Sequence, residues 1–341
     1  MILLLNLELL EKIDSQGMYK IYDKWPEIAR KQYEKNLEQV DFEDVSHIVF
    51  AGMGGSGAIG DIFSAILSKT NIHVDVVKGY QLPKTVNSES LVVTTSISGN
   101  TEETISVLKE ASKIKSRVIS FSDGGKMEKF CKENKLDYRN ISSIHSPRAS
   151  FPTFLYSMFQ VFEPFLPIKK NDIISSLDNL EKQKKIISSE NLSNENLALD
   201  LALWISKIPL IYYPWGLQAA STRFKNSLQE NSKMHAITED LIEACHNGIV
   251  AWNKQSDVQP ILIQGDDDHF KTKERWCILK EFFNQNNIEF KEIHSIKGGI
   301  VSKLINLIYV LDYASIYKSV IRNVDPTPVE PIDFVKNKLQ F

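Results

Sequence analysis

Three short segments rich in glycine, serine and threonine have the composition of anion-binding loops, and each follows an apolar run. They are GMGGSG at residues 52–57, SISGNTEET at 96–104 and SFSDGG at 120–125. Glycine lets the backbone approach a ligand closely, and the first turn of a following helix offers free N–H groups and the positive end of the helix dipole. Hydroxyl groups beside such N–H groups can hold a phosphomonoester without a lysine. The candidate phosphate-binding residues are Gly54, Gly55, Ser56, Ser96, Ser98 and Thr101.

Each loop also has an alternative interpretation. Residues 52–57 match G-x-G-x-x-G, which is typical of dinucleotide sites, but such sites need an acidic residue at the end of the second strand. Here the second β-rich run reaches Lys78 instead, so the dinucleotide fingerprint is incomplete. Thr101 can be a simple helix N-cap. Residues 120–125 can be only a turn.

The loops belong to a regular alternation of strand-like and helical segments. Four β-rich runs, HIVFAG, IHVDVVKG, SLVVTTSIS and SRVISFS, lie between residues 46 and 125, with helical stretches at 57–69 and 101–115. After residue 200 the pattern resumes with PLIYYPWG, PILIQGD and IEFKEIHSI. Such alternation predicts parallel sheets with crossover helices. Residues 166–200 are polar with apolar residues at helical spacing, and predict a solvated helical connector between two α/β domains.

The composition is that of an ordinary globular protein. The chain has 341 residues, is 43% apolar and carries 40 basic against 43 acidic residues, for a net charge of −3. At roughly 100–200 residues per domain, this length suggests about two domains. A near-neutral charge gives no basic field for a phosphate backbone, so no nucleic-acid partner is expected. Three cysteines, Cys131, Cys245 and Cys277, form no C-x-x-C pair, which fits reduced thiols in a cytoplasmic protein.

The sequence predicts neither membrane association nor a metal site. The apolar start, MILLLNLELL, lacks a basic region and is interrupted by Glu8, so we interpret it as an N-terminal helix or an overextended start. Nowhere do about 18 uncharged apolar residues follow one another, so no membrane association is expected. The seven histidines show no H-x-x-x-H or H-E-x-x-H spacing, so no metal site is expected.

Together, the GMGGSG and SISGNTEET loops resemble a sugar isomerase (SIS) domain, a fold that binds phosphosugars. Further segments extend this to a resemblance to the bifunctional phosphoglucose/phosphomannose isomerase family, from about residue 45 to the C-terminus. They are Pro147-Arg148, Glu230-Asn231-Ser232-Lys233, His246-Asn247 with Trp252, Asp325-Pro326-Thr327-Pro328 and Lys336.

The resemblance implies an α/β fold with two SIS-type doubly wound parallel-sheet domains, each a three-layer αβα arrangement. The expected divisions are an N-terminal helical segment at 1–44, the first SIS domain with the phosphosugar loops at 45–165, the helical connector at 166–200, the second SIS domain at 201–320 and a C-terminal tail with Lys336 at 321–341.

The activity that the resemblance implies is an aldose–ketose isomerisation through a cis-enediolate. It would interconvert glucose 6-phosphate or mannose 6-phosphate with fructose 6-phosphate. Glu230 stands at the position of the family's base, which moves a proton between C1 and C2. Arg148 stands near the enediolate oxygens, where a planar, always charged guanidinium stabilises the developing charge. His246 and Lys336 are the candidates for opening the sugar ring.

The same resemblance implies no cofactor and no metal, and a phosphosugar as the small-molecule partner. It also implies a homodimer in which the neighbouring subunit supplies His246. Taken singly, the residues have ordinary explanations. Glu230 can pair with Lys233 or Lys225, Arg148 can form a loop salt bridge, and Lys336 can be a solvated terminal lysine.

The chain departs from the family pattern around His246. Gly248 stands where the family has an acidic residue, and the preceding LIEAC lacks the usual proline. His235 is a second candidate histidine, but Asn247 and Trp252 favour His246.

Two alternative functions belong to other classes. One is the isomerase half of a glucosamine 6-phosphate synthase, although that enzyme needs an N-terminal cysteine nucleophile and residue 2 is Ile2. The other is a non-catalytic phosphosugar-sensing regulator, although the sequence has no evident helix-turn-helix or basic face.

Overall fold

A computed structural model of the chain describes residues 5–40, 42 and 44–339. Its first sheet has five parallel strands in the order β2-β1-β3-β4-β5. The strands are β1 (His47–Ala51), β2 (His73–Val77), β3 (Leu91–Ser96), β4 (Arg117–Ser122) and β5 (Asp137–Asn140), and the crossover helices are α4 (Gly54–Leu67), α5 (Glu102–Ile114) and α6 (Gly125–Asn134). Strand β1 pairs with β2 on one side and with β3 on the other, so the strand order reverses between β1 and β3. Open α/β sheets bind ligands at such a point, outside the carboxyl ends of the strands.

The second sheet has four parallel strands in the order β7-β6-β8-β9. They are β6 (Ile208–Tyr213), β7 (Ile237–Asp240), β8 (Val258–Gln264) and β9 (Lys291–His294). Helices α10 (Gln218–Asn231), α11 (Leu241–Ala244) and α12 (Phe270–Gln285), with a 3₁₀-helix at Gly248–Asn253, lie between them. The expected α/β class with two parallel sheets is therefore confirmed.

The remaining helices surround and join the two sheets. They are α1 (Leu7–Ile13), α2 (Met18–Asp23), α3 (Trp25–Tyr33), α7 (Phe151–Val161), α8 (Lys170–Ile187), α9 (Leu197–Trp204), α13 (Ile300–Ile321) and α14 (Glu330–Leu339). Within the described residues, α13 alone is long and apolar enough to cross a membrane by length and composition. An 18-residue window of it is 94% buried inside the protein, as is typical of a core helix.

One apolar core extends through both halves of the chain. It includes Ile119 of the first sheet, Ile261 of the second and most of α13. Helix α8, in the expected connector, contributes Ile173 and Leu177 to this core, so one of its faces is packed against protein rather than solvated. In the segment 1–44 the structure has α1, α2 and α3, and residues 1–4, 41 and 43 lie outside the described residues, as do 340 and 341.

Two strands, β5 and β7, are absent from the sequence prediction. Their sequences, DYRN and ITED, contain no apolar run. Both are edge strands with partly exposed side chains, so burial does not impose the apolar pattern from which a strand is recognised.

Candidate active site

The glycine-rich loop at residues 52–57 lies at the carboxyl end of β1, against the neighbouring strand β3. A Cβ atom on Gly52 would lie 2.9 Å from the carbonyl oxygen of Thr95, so a side chain there would push the loop away from β3. Gly54 begins α4 with a φ of +52°, and no side chain caps this helix. Its first N–H groups therefore have no side-chain acceptor. The predicted residues Gly54, Gly55 and Ser56 all lie in the first turn of α4.

The serine–threonine loop joins β3 to α5 at the same sheet edge. The hydroxyl oxygens of Ser96 and Thr101 are hydrogen-bonded at 2.9 Å. Thr101 is the N-cap residue of α5, but its side chain makes no capping hydrogen bond. Simple capping therefore does not account for this hydroxyl. Ser98 is exposed on the same loop. Hydroxyl groups thus surround a helix start that favours negative charge.

The third loop, at residues 120–125, supports the serine–threonine loop. The N–H of Asp123 donates to the carbonyl oxygen of Ile97 at 3.1 Å, and the N–H of Met127 donates to that of Gly99 at 2.9 Å. The two loops are in such close contact that a Cβ on Gly99 would lie 1.8 Å from the carbonyl oxygen of Gly124. The sequence offers this segment only as a turn or a further loop, and its bracing contacts were not foreseen.

Arg148 and Glu230 meet beside the glycine-rich loop. The Arg148 Nη1 and Glu230 Oε2 atoms are 3.3 Å apart, with side chains 6% and 27% exposed. Arg148 lies in the turn before α7, and Glu230 lies in the last turn of α10. A Cβ on Gly55 would lie 3.8 Å from the Cα of Arg148, which places the ion pair next to the start of α4. The structure therefore brings together three parts of the predicted site.

Four hydrogen bonds fix the Arg148 guanidinium. Besides Glu230, its acceptors are Asn231 Oδ1 at 2.6 Å, the Pro326 carbonyl oxygen at 2.6 Å and the Thr327 carbonyl oxygen at 2.8 Å. The DPTP segment of the tail thus contacts Arg148 directly. The Glu230–Asn231 pair supplies one charged and one neutral acceptor, so the guanidinium is held in one orientation.

A buried ion pair beneath this site was missed by sequence reasoning. Arg223 Nη2 and Asp312 Oδ2 are 2.6 Å apart, with side chains 3% and 0% exposed. Arg223 also donates to the Arg148 carbonyl oxygen at 3.0 Å, and Asp312 accepts from Ser227 and Tyr22. The sequence does contain a signal, because Asp312 lies within the apolar run of α13. A charge buried there needs a partner.

Lys233 is part of the segment that resembles the family and was considered as an ion-pair partner for Glu230, but its ammonium group contacts carbonyl oxygens instead. Its Nζ donates to the carbonyl oxygens of Glu230 and Pro326. Desolvation of the Lys233 ammonium group and the positive charge of Arg148 lower the pKa of Lys233 to about 8. A lysine with a lowered pKa therefore lies beside the Glu230–Arg148 pair.

His246 and Lys336 are not joined to Glu230 within one chain. Both are exposed, and no hydrogen bond or ion pair links either to Glu230 in the part of the chain that the structure describes. Glu230 ends α10, which returns to the amino end of the second sheet, whereas His246 follows β7 and lies past its carboxyl end. A helix of 14 residues spans about 21 Å, so these residues lie at opposite ends of that sheet. His235 is also exposed.

Gly248 lies against the end of the Glu239 side chain. A Cβ there would lie 2.4 Å from Glu239 Oε1. Burial, and to a smaller extent the neighbouring Glu243, raise the pKa of the Glu239 carboxyl. Trp252 is buried, and its Nε1 donates to the Tyr212 hydroxyl at 2.9 Å. The segment around His246 therefore has a packed support and a carboxyl group, from Glu239, close to Gly248.

Two family models match the chain. The model of the SIS domain matches residues 41–158, and the model of the bacterial phospho-glucose isomerase C-terminal SIS domain matches residues 194–339.

Individual proteins match over most of the chain. A bifunctional phosphoglucose/phosphomannose isomerase from Caldicellulosiruptor bescii is 32% identical, with 94% of this chain and 98% of the relative covered. A protein of the same name from Aquifex aeolicus is 26% identical, covering 95% and 97%. Among solved structures, a hypothetical protein from Thermus thermophilus aligns with a TM-score of 0.74 at 14% identity, covering 98% of this chain and 92% of that one.

Proposed function

The chain belongs to the bifunctional phosphoglucose/phosphomannose isomerase family, and we propose that Glu230 is the base with which it interconverts aldose and ketose hexose 6-phosphates. The observation that carries the proposal is the contact between Glu230 and Arg148 beside the glycine-rich loop. A carboxylate and a guanidinium at hydrogen-bond distance provide a proton acceptor and a stabiliser of negative charge in one place.

The phosphate group is the anchor of the substrate in this proposal. Ser96, Ser98 and Thr101 donate hydroxyl hydrogens to it, and the uncapped first turns of α4 and α5 supply N–H groups. Gly54, Gly55 and Ser56 line the side of the substrate that faces Arg148. An anchored phosphate leaves the C1–C2 end of the sugar to reach Glu230, because the two ends of an open hexose are several bonds apart.

At the C1–C2 end, Glu230 removes a proton from one carbon and returns it to the other. Removing the proton leaves negative charge on the enediolate oxygens, and Arg148 stabilises that charge. C2 is planar in the enediolate, so a site that tolerates either orientation of its hydroxyl accepts both glucose and mannose 6-phosphate. The chain's own side chains supply every group in this sequence of steps.

His246 and Lys336 open the sugar ring in this proposal. Opening requires that one group removes the anomeric proton and that another protonates the ring oxygen. In a single chain His246 is at the opposite end of the second sheet from Glu230. We therefore assign the site to a homodimer, in which Glu230 of one chain works with His246 of the partner subunit.

A coupled assay tests the activity. Fructose 6-phosphate is supplied with EDTA present, and glucose 6-phosphate and mannose 6-phosphate are followed separately. Both products are expected. Glu230→Gln should lower turnover about 10²–10⁴-fold while fructose 6-phosphate still raises its Tm. Glu181→Gln, at an exposed carboxylate paired with Arg30, is the matched control. Unchanged turnover in E230Q would reassign the base.

Complementation tests the shared site. Glu230→Gln and His246→Ala homodimers are each expected to be inactive. After subunit exchange at equal amounts, about half of the dimers are mixed, and each has one intact site if Glu230 and His246 come from different chains. Activity should then recover to about a quarter of the wild-type value. If both residues act within one chain, no mixed dimer has an intact site and activity stays absent.

We also propose a cytoplasmic location. Its support is the state of the three cysteines, which are all free, with Cys131 buried and Cys277 exposed. Free exposed thiols suit a reducing compartment. Cell fractionation with antibodies against the protein would test it, and recovery in an extracellular fraction would contradict it.

A further inference from the structure

A cluster of two histidines and one aspartate lies at the amino end of the first sheet. His47 begins β1 and His73 begins β2, and these two residues are paired in the strand register. Asp75 lies two residues further along β2 and on the same face as His73. The ligating atoms of the three side chains lie within 4.8 Å of one another.

The separations suit coordination of one ion. Asp75 Oδ2 is 2.9 Å from His47 Nε2 and 3.4 Å from His73 Nε2. Zinc bonds to histidine nitrogen and carboxylate oxygen are about 2.0–2.2 Å long, which at tetrahedral angles places the ligand atoms about 3.3–3.6 Å apart. Small side-chain adjustments thus let all three atoms bind one ion, with a fourth position open to water.

The ring of His47 is already oriented by a second contact. Its Nδ1 lies 3.2 Å from Ser90 Oγ, and Ser90 Oγ is within 3.4 Å of Asn87 Oδ1 as a donor. When Ser90 donates to Asn87, it accepts the hydrogen of His47 Nδ1. In that arrangement Nε2 of His47, which faces the Asp75 carboxylate at 2.9 Å, is free to bind a cation. Histidine ligands of metals commonly have such an outer hydrogen bond.

We propose that His47, His73 and Asp75 bind a divalent transition-metal ion, with zinc as the best fit to two imidazoles and one carboxylate. The side chains of His47 and Asp75 are 12% and 32% exposed, and that of His73 is 67% exposed, so the ion has a path from solvent. The ion would connect β1 to β2, which is an edge strand.

The proposed ion has no part in the isomerisation. The candidate active site lies at the carboxyl end of the same sheet, and a strand of five residues separates the two edges by about 16 Å. The metal site is therefore structural, and it stands independently of the function proposed above. Sequence spacing did not reveal it, because the ligands come from two strands and only His73 and Asp75 are near each other in the chain.

Zinc titration tests the proposal. The full-length protein is freed of metal with a chelator and titrated with ZnCl₂ by calorimetry, and its Tm is measured with and without zinc. One zinc per chain and a higher Tm are expected. His73→Ala and Asp75→Asn should each weaken zinc binding at least about tenfold. His73 is exposed, so its replacement should leave the fold intact.

His294→Ala is the matched control. His294 also contacts a carboxylate, Glu292, at 3.5 Å, and it is not part of a three-ligand cluster among the described residues. Its loss should leave zinc binding unchanged. Absence of zinc binding to the wild-type protein, or equal binding by H73A and wild type, would overturn the proposal. Isomerase activity that fell on chelation and returned with zinc would overturn its structural assignment.

Discussion

Replacing Asn231 should separate the positioning of Arg148 from its chemistry. Asn231 is fully buried, and its Oδ1 accepts from Arg148 Nε at 2.6 Å while its Nδ2 donates to Ser315 Oγ at 2.8 Å. Asn231→Leu keeps the branched shape of the side chain but removes both bonds. The guanidinium then retains Glu230 and two carbonyl oxygens of the tail, and can tilt away from its present orientation.

The size of the effect follows from the bond that is lost. A hydrogen bond to a charged group contributes about 1.5–3 kcal/mol. If the tilted guanidinium loses one equivalent bond to the enediolate, kcat falls about 10–150-fold, because each 1.36 kcal/mol is a factor of ten. KM should change little, since the hydroxyl groups proposed to bind the phosphate lie on a different loop.

Ser315→Ala is the control for this experiment. It removes the other partner of Asn231 but leaves the acceptor of Arg148, so it should cost about 0.5–1.5 kcal/mol of stability with kcat nearly unchanged. The assay is the steady-state conversion of fructose 6-phosphate, with urea unfolding midpoints measured in parallel. If kcat of N231L stays within twofold of wild type while its stability falls, Asn231 is only a structural residue and the reasoning is refuted.

Three further variants test other contacts. Gly99→Ala should raise KM for fructose 6-phosphate at least about tenfold, because its Cβ would lie 1.8 Å from the Gly124 carbonyl oxygen. The control is Gly79→Ala, where a Cβ meets nothing within 4 Å. An unchanged KM in G99A would contradict the support of the serine–threonine loop by residues 120–125. Asp312→Asn should lower the free energy of unfolding by about 3–5 kcal/mol because it leaves Arg223 buried without its counter-charge. The control is Asp178→Asn at an exposed ion pair, which should cost about 1 kcal/mol or less. An equally small change in D312N would contradict the prediction. Lys233 has a folded-state pKa of about 8 against an ordinary value of 10.5. Between these pH values the unfolded chain binds more protons than the folded chain, so the free energy of unfolding rises with pH. Lys233→Gln should make urea midpoints less dependent on pH in this range, and a dependence equal to that of the wild type would argue against the lowered pKa.

Local features of the sequence were sufficient for much of the fold. Strands β1, β3, β4, β6 and β8 are mostly buried and each carries a short apolar run, which identifies them without any tertiary information. The two loops proposed to bind phosphate combine glycine and hydroxyl residues within a few positions, so their composition alone distinguishes them. Edge strands such as β7 lack this signal, because one side and one face contact solvent.

Contacts between distant parts of the chain were beyond the reach of sequence reasoning. Arg223 and Asp312 are 89 positions apart, and no local pattern links them. The contact between Arg148 and Glu230 was expected only from the family resemblance, since nothing near either residue predicts its partner. The lowered pKa of Lys233 depends on desolvation and on the Arg148 guanidinium, both of which arise only in the folded chain.

The position of α13 in the core affects how the chain can fold during synthesis. This helix follows both sheets in the chain, yet it packs against α8, α9 and α10 and against α4 of the first half. Nascent chains usually fold domain by domain from the N-terminus. The part of the α4 surface that packs on α13 is therefore uncovered until residues 300–321 have left the ribosome.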